Sequence, residues 1–291
     1  MWSDRILLSI FDRFPPESTI FVAPDGRAEH EYESEPPARE FSRWFGLAPA
    51  ELFAGNDVLD LGCGYGGKAV RYLEHGAASV TGVEISDEVV AGARLFAEQR
   101  GVADRARFVV GAGESIPLAD EQFDLVTMDD VMEHVVSPGE VLDECRRVLR
   151  PGGRLALVFP PYYDVTGGSH LHGYATRVPG LNLVFSTRSL KSATRELFER
   201  DGIDYRRWLR DEPTDKLWNM NGLTVRGFER LIAERDFEVE AQILYGHGDR
   251  RTPFTGELPL PRPVRATLER AAGAPLLREA LCLRVCALLR K

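Results

Sequence analysis

The middle of the chain alternates short apolar runs with amphipathic stretches of helical period. Apolar runs predict strands over 56–61, 79–84, 106–110, 123–128 and 153–159. Helical patterns fill the gaps over 66–75, 87–100 and 138–149. Strands that alternate with helices in this way predict an α/β fold with a doubly wound, parallel sheet, whose ligands bind at the carboxyl ends of the strands. Four residues are expected at that edge: Asp60, Glu84, Gly111 and Asp129.

The segments before the sheet predict an N-terminal part, 1–55, made of helices and a lid. A helix is predicted over 1–14, and 15–37 is rich in proline and acids and reads as a loop with a short strand near Ile20. A second helix is predicted over 38–45, with its aromatic side chains on one side. It either closes over a ligand or docks on the core.

After the predicted core, 56–159, the pattern breaks over 160–221, which is too long for a plain loop in a compact domain. We expect an inserted cap there, with a helix near 190–200. The last part, 222–291, predicts a helix from Thr224, a strand over 237–244 and a helix within 260–277. The tail, 280–291, fits a strand better than a membrane-surface helix.

The most informative stretch is Val-Leu-Asp-Leu-Gly-Cys-Gly-Tyr-Gly-Gly at 58–67, a strand that runs into a glycine-dense turn before a helix. Glycines 62, 64 and 66 let a ligand lie against the backbone, although 62, 64 and 67 also fit the G-x-G-x-x-G dinucleotide spacing. Asp60 separates the two interpretations, because a carboxylate repels a pyrophosphate and attracts a ligand cation. Glu84, at the tip of the next strand, suits a ribose diol.

With these motifs the chain resembles the class I S-adenosylmethionine (SAM)-dependent methyltransferases of the small-molecule group, over about residues 58–159. Further matching motifs are Phe-Val-Val-Gly-Ala-Gly-Glu at 108–114, Phe-Asp-Leu-Val-Thr-Met-Asp-Asp at 123–130 and Arg-Val-Leu-Arg-Pro-Gly-Gly at 147–153. The resemblance implies a seven-stranded, Rossmann-like sheet with SAM as cofactor. It implies cofactor contacts by Asp60, Gly62, Gly64, Gly66, Glu84, Ile85, Gly113, Glu114 and Asp129.

One position departs from that family. Its adenine loop usually carries an aspartate where this chain has Ala112. The alanine side chain cannot accept a hydrogen bond from an adenine amino group. Glu114 or Ser115 would have to substitute, or the amino group would face water.

Candidates for proton removal from an acceptor come from the histidines, whose pKa suits a general base. His170 and His172 lie in the insert and would face one side of an extended chain, so either is a candidate catalytic residue, with Asp129 another. His134, Tyr162 and Tyr163 are predicted to line the acceptor pocket, His134 with a structural role favoured. A metal site on the two insert histidines would need a third ligand, for which Asp164 could serve. No metal is predicted.

Composition restricts the kinds of substrate and partner that the chain can be expected to bind. The chain has 291 residues, 44% hydrophobic, and a net charge of −9, which disfavours a nucleic-acid substrate. Its four cysteines form no C-x-x-C pair, and no apolar run approaches the roughly 18 residues of a membrane span. We therefore expect a cytoplasmic protein acting on a small-molecule acceptor, without nucleic-acid or membrane partners; the oligomeric state stays open, a homodimer included.

The primary hypothesis is SAM-dependent methyl transfer to oxygen or carbon of a small molecule. The alternative is an enzyme of the same fold that binds SAM but catalyses a reaction without methyl transfer, such as a cyclisation. A non-enzymatic SAM-binding subunit and a nicotinamide oxidoreductase are disfavoured, the second because of Asp60.

Overall fold

The structure is a computed structural model. It describes residues 2–16, 27–33, 41, 44–164, 170–202, 220–246 and 278–291. The predicted strand near Ile20, most of the predicted helix 38–45 and the predicted helix within 260–277 lie outside these residues.

The predicted alternation of strands and helices is confirmed. The strands are β1 (Asp57–Leu61), β2 (Ser79–Glu84), β3 (Ala106–Val110), β4 (Phe123–Asp129), β5 (Leu149–Phe159), β6 (Glu238–Gly246) and β7 (Cys282–Arg290). The helices are α1 (Trp2–Arg13), α2 (Arg27–Glu33), α3 (Pro49–Phe53), α4 (Gly67–Glu74), α5 (Asp87–Gln99), α6 (Pro138–Val148), α7 (Leu171–Tyr174), α8 (Leu181–Val184), α9 (Thr187–Arg200), α10 (Val225–Ala233) and α11 (Arg278–Leu281). The tail forms a strand, as predicted.

The seven strands form one sheet in the order β3-β2-β1-β4-β5-β7-β6. Strands β1 to β5 pair in parallel, and the register sets Asp60 on β1 opposite Thr127 on β4. The order reverses at β1, so the carboxyl ends of β1 and β4 meet where a doubly wound sheet binds its ligands. This is the Rossmann-like α/β architecture expected from the sequence.

Two local predictions were wrong. Strand β5 begins at Leu149 rather than 153, since Leu149 pairs with Phe123 and a register shift before Leu125 accommodates the intervening residues. The stretch 15–37, predicted as a loop, contains helix α2. That helix carries no apolar stripe, so the hydrophobic pattern gave no sign of it.

Contacts divide the chain into two compact units. The sheet unit comprises Val22–Phe159, Arg230–Ile243 and Cys286–Lys291. The helical unit comprises Met1–Phe21, Pro160–Glu229 and Leu244–Val285, so the ends of β6 and β7 belong to it. The chain passes from the carboxyl end of β5 directly into the helical unit at Pro160.

The helical unit has a core of its own. Leu7 and Phe11 of α1 pack with buried residues of the insert, which include Leu171, Leu190 and Phe198. Polar contacts join the same elements, because Ser192 of α9 donates a hydrogen bond to Asp4 at 3.0 Å. Across the residues that the structure describes, no helix has the length and apolar character needed to cross a membrane.

Candidate functional site

The turn between β1 and α4 uses glycine where other residues would be strained. Gly62, Gly64 and Gly66 have φ values of +74°, +52° and +82°. At Gly62 a Cβ atom would also lie 2.3 Å from Cγ2 of Val131. The turn is fixed to β2, since the N–H groups of Gly62 and Cys63 donate to the carbonyl of Val83 at 2.8 and 3.2 Å. The backbone at the carboxyl end of β1 is therefore held in a turn that has no side chain at these three positions.

Asp60 lies directly before this turn and is 2% exposed. Its Oδ1 accepts a hydrogen bond from the hydroxyl of Thr127 at 3.0 Å, whereas Oδ2 has no hydrogen-bond partner among the described residues. Burial raises the pKa of Asp60 to about 7, against the lowering influence of Lys68 and of the Thr127 hydrogen bond. A buried carboxylate oxygen without a donor is well suited to accept a ligand cation.

Lys68, in the first turn of α4, donates to Oδ2 of Asp129 at the end of β4. Both side chains are largely buried, at 22% and 11% exposed. Burial acts to lower the pKa of Lys68, but the charge and hydrogen bond of Asp129 outweigh it and raise the pKa above its usual value. No sequence pattern indicated this pair, in which an ammonium group engages the Asp129 carboxylate.

Glu84 ends β2 beside the turn. Its Oε1 accepts from the N–H groups of Ile85 and Ser86 at 2.8 and 3.4 Å, and its Oε2 accepts from that of Gly64 at 3.3 Å. The carboxylate is thus oriented between the glycine turn and the start of α5. The neighbouring Ile85 side chain is 62% exposed, which leaves apolar surface next to this carboxylate.

A third carboxylate, Glu31 of α2, reaches the same turn. Its Oε1 accepts from the N–H of Tyr65 at 3.2 Å and its Oε2 from that of Gly67 at 3.3 Å. Sequence reasoning missed this residue, because it lies in the stretch predicted as a loop. Its charge contributes to raising the pKa of Asp60.

The predicted adenine loop follows β3. Ala112 and Ser115 form a β-bridge, so the loop is a tight turn. Glu114 uses Oε1 to accept from the N–H groups of Val136 and Ser137, at 2.7 and 3.2 Å, at the start of α6. One oxygen of the proposed substitute for the missing aspartate is therefore committed to the helix start.

The candidate histidines and aromatic residues lie in different surroundings. The His134 side chain is 38% exposed, and its Nε2 lies 3.8 Å from Oε1 of the buried Glu133. Tyr162 is buried in the core of the helical unit, and Tyr163, 37% exposed, meets its ring edge-on at 5.2 Å. The pocket roles of these three residues stay predictions.

The backbone around His170 and His172 differs from the prediction. His170 has a left-handed φ of +57° and immediately precedes helix α7, which contains His172. The backbone there is not extended, so the side-chain alternation of an extended chain, on which the prediction rested, does not apply. That expectation was wrong, because the glycine-rich sequence around the histidines suggested an extended loop.

All the residues predicted to bind the cofactor belong to the sheet unit. They are Asp60, Gly62, Gly64, Gly66, Glu84, Ile85, Gly113, Glu114 and Asp129. The predicted acceptor residues His170, His172, Tyr162 and Tyr163 belong to the helical unit, whereas His134 belongs to the sheet unit. The fold and the acid-lined glycine turn together define a Rossmann-like α/β protein whose turn lies where doubly wound sheets bind their ligands.

Known proteins narrow that class. Residues 59–157 match a family described as a methyltransferase domain. Methyltransferase GfsG of Streptomyces halstedii is 33% identical over 157 residues, covering 53% of this chain and 55% of that protein. The 27-O-demethylrifamycin SV methyltransferase of Amycolatopsis mediterranei is 37% identical over 123 residues, covering 42% and 44%. The matched region therefore spans only about half the length of these relatives.

The fold is also that of a solved protein structure. A crystal structure of an S-adenosylmethionine-dependent methyltransferase from Mesorhizobium loti aligns with a TM-score of 0.51 at 18% identity, covering 92% of this chain and 100% of that one. Residues 59–157 therefore match a methyltransferase domain, and the chain shares the fold of that SAM-dependent methyltransferase.

Proposed function

We propose that the protein transfers a methyl group from S-adenosylmethionine to an oxygen or carbon atom of a small molecule. The observation that carries the proposal is the buried Oδ2 of Asp60, which has no partner among the described residues and lies at the start of the glycine turn. S-adenosylmethionine brings an α-ammonium and a sulfonium but no phosphate, so its charges suit a site lined by carboxylates.

The residues of the sheet unit fit this cofactor. Asp60 would take the α-ammonium, and Glu84, already oriented by backbone N–H groups, would accept from the ribose hydroxyls. The exposed Ile85 and the turn at Gly113 offer surface to the adenine ring. When bound, the cofactor supplies an electrophilic methyl group, and the protein contributes orientation and the exclusion of water.

The acceptor is proposed to be a small molecule. Relatives that share the methyltransferase domain include one named for a rifamycin and others for ubiquinone biosynthesis. The net charge of −9 opposes binding of a nucleic acid. Because the chain enters the helical unit from the carboxyl end of β5, we propose that this unit contributes acceptor recognition.

Proton removal from a hydroxyl or an acidic carbon is assigned to His170 or His172. Asp129, the other candidate, already accepts a hydrogen bond from the ammonium group of Lys68. His134 lies against the buried Glu133 and is assigned a structural role.

The cofactor assignment is tested by calorimetry on D60N and E84Q with S-adenosylmethionine. Each substitution removes a charged partner of the ligand, so we expect affinity to fall about tenfold or more, equivalent to roughly 1.5–3 kcal/mol. D104N, which removes the same charge from an exposed position, is the control and should bind as the natural chain does. Unchanged affinity in both site variants would remove the assignment.

Product analysis separates methyl transfer from the alternative reaction. Transfer consumes the cofactor and forms S-adenosylhomocysteine in step with the methylated product. A reaction such as a cyclisation would convert the acceptor while leaving S-adenosylmethionine unchanged.

A further inference from the structure

Helix α2 is closely docked on the first turn of α4. A Cβ atom at Gly67 would lie 2.5 Å from the carbonyl oxygen of Ala28 and 2.6 Å from the backbone nitrogen of Tyr32. The absence of a side chain at Gly67 is thus what allows the two backbones to approach.

Arginines on α4 and beyond α5 hold the same helix. The ring of Tyr32 is contacted by the guanidinium groups of Arg71 and Arg100, at 3.8 and 3.9 Å from its centroid. The Tyr32 hydroxyl donates to Glu74 at 2.7 Å, and Arg100 pairs with Glu29 at 2.6 Å. These contacts fix the position of Glu31, which lies between the two anchoring residues along α2.

Glu31 occupies backbone donors at and just before the start of α4. The first N–H groups of a helix are unsatisfied and carry partial positive charge, which favours an anion there. In this protein the N–H groups of Tyr65 and Gly67 donate to the two oxygens of Glu31. The start of α4 is thus an anion position that a carboxylate of the chain itself fills.

This position is close in the chain to Asp60, the proposed partner of the cofactor ammonium. S-adenosylmethionine carries an ammonium and a carboxylate on the same carbon atom, so the site that receives one must receive the other nearby. Asp60, Glu84 and Glu31 already bring three carboxylates to the turn. A fourth, from the ligand, would be repelled unless one of them left.

Building on the proposed function, we propose that Glu31 holds the place of the cofactor carboxylate in the ligand-free protein. Cofactor binding then displaces Glu31 from the N–H groups of Tyr65 and Gly67 and loosens α2. Glu31 is in this sense an internal competitor that lowers cofactor affinity, since displacing it costs free energy on binding.

Affinity measurements with two ligands test the proposal on the full chain. S-adenosylmethionine has the carboxylate, and decarboxylated S-adenosylmethionine lacks it while keeping the amine and the sulfonium. The preference for S-adenosylmethionine is the Kd of the decarboxylated ligand divided by the Kd of S-adenosylmethionine. In E31Q we expect this ratio to rise about three- to tenfold. E33Q makes the same charge change at an exposed position on α2 and should leave the ratio unchanged.

A second variant undocks α2 while keeping the Glu31 carboxylate in the chain, since the added Cβ at residue 67 would lie 2.6 Å from Cβ of Glu31. Gly67 does not have a positive φ, so G67A suits helix α4, while its methyl group collides with the backbone of α2. We expect G67A to raise the same ratio.

The outcomes are distinct. An unchanged ratio in E31Q, or a loss of affinity for both ligands alike, would overturn the inference, the second result making Glu31 a partner of the ammonium group instead. Absence of binding of either ligand to the unsubstituted chain would overturn the proposed function itself.

Discussion

The position of Asp60 could be predicted from the sequence, whereas its burial, its hydrogen bond and its pKa could not. A carboxylate two residues before the first glycine of a strand–turn–helix had to lie at the tip of β1, and it does. Its burial, its hydrogen bond from Thr127 and its raised pKa depend on β4, which joins the site from more than sixty residues along the chain. Local sequence carries no signal for such a partner.

The pKa of about 7 makes Asp60 a proton-linked site. Because the pKa is higher in the folded chain than its ordinary value of 3.8, the folded state holds the proton more tightly than the unfolded state. The contribution of Asp60 to the free energy of unfolding is therefore present at low pH. It falls as pH rises from about 4 to about 7.

Cofactor binding should instead favour the deprotonated form of Asp60, because an ammonium against Oδ2 stabilises the charged carboxylate. We expect affinity for S-adenosylhomocysteine to fall as pH drops below about 7, by up to about tenfold per pH unit. Calorimetry in buffers of different ionisation enthalpy should detect a released proton. D60N should bind more weakly and without this pH dependence. Equal affinity of the unsubstituted chain at about pH 5.5 and about pH 8 would contradict the assignment.

At the scale of elements, the strands and helices with a strong apolar period were predicted correctly. An element that depends on packing against its neighbours was not predicted. The β-α alternation from β1 to β5 could be predicted because each run faces the core. Helix α2 is polar on all sides and owes its place to Tyr32, Glu29 and Glu31, so no pattern marked it. The most surprising site residue, Glu31, was missed together with its helix.

A second element-level feature is the way Arg147 of α6 holds the loop that follows the predicted adenine turn. Its guanidinium donates to the carbonyls of Ile116 and Leu118, at 2.9 and 2.8 Å, and to the carboxylates of Asp120 and Glu144, each at 2.7 Å. The hydrogen bonds to Glu144 and Asp120 raise the pKa of Arg147 above its usual value, so it stays charged.

Replacing this residue should destabilise the sheet unit. R147M removes the guanidinium donor from two carbonyls and from Glu144, although the Ile116 carbonyl and Glu144 each keep one backbone N–H donor. We expect the free energy of unfolding to fall by about 2–3 kcal/mol. Urea denaturation measures the change. R107M, at an exposed position on β3, is the matched control and should change stability by less than about 0.5 kcal/mol. Equal effects from the two variants would show that the Arg147 contacts contribute nothing specific.

At the scale of the whole molecule, the chain forms two compact units. The sheet unit contains every residue assigned to the cofactor, and the helical unit combines residues 1–21 with 160–229 and 244–285. That grouping could not be read from the sequence, because the packing of α1 with α9 joins segments about 180 residues apart, as the hydrogen bond from Ser192 to Asp4 illustrates. The motif order predicted the sheet, whereas nothing local predicted the partner of the first helix.

This division leads to a prediction about the proposed base. His170 and His172 belong to the helical unit and the cofactor residues to the sheet unit, so their substitution should separate turnover from cofactor affinity. We expect one of H170A and H172A to lose roughly 10²–10⁴-fold in turnover, the usual contribution of a general base. The Kd for S-adenosylmethionine, measured by calorimetry, should stay within about twofold, since neither residue supplies a cofactor contact.

The pH profile distinguishes a base from a residue that merely shapes the unit. Turnover of the unsubstituted chain should rise with pH through the pKa of the base, and the impaired variant should lose that rise. H75A, in the sheet unit at the end of α4, is the matched control and should keep both turnover and the profile. Near-normal turnover in both insert variants at saturating acceptor would move proton removal to Asp129 or His134, or would mean that the acceptor needs no base.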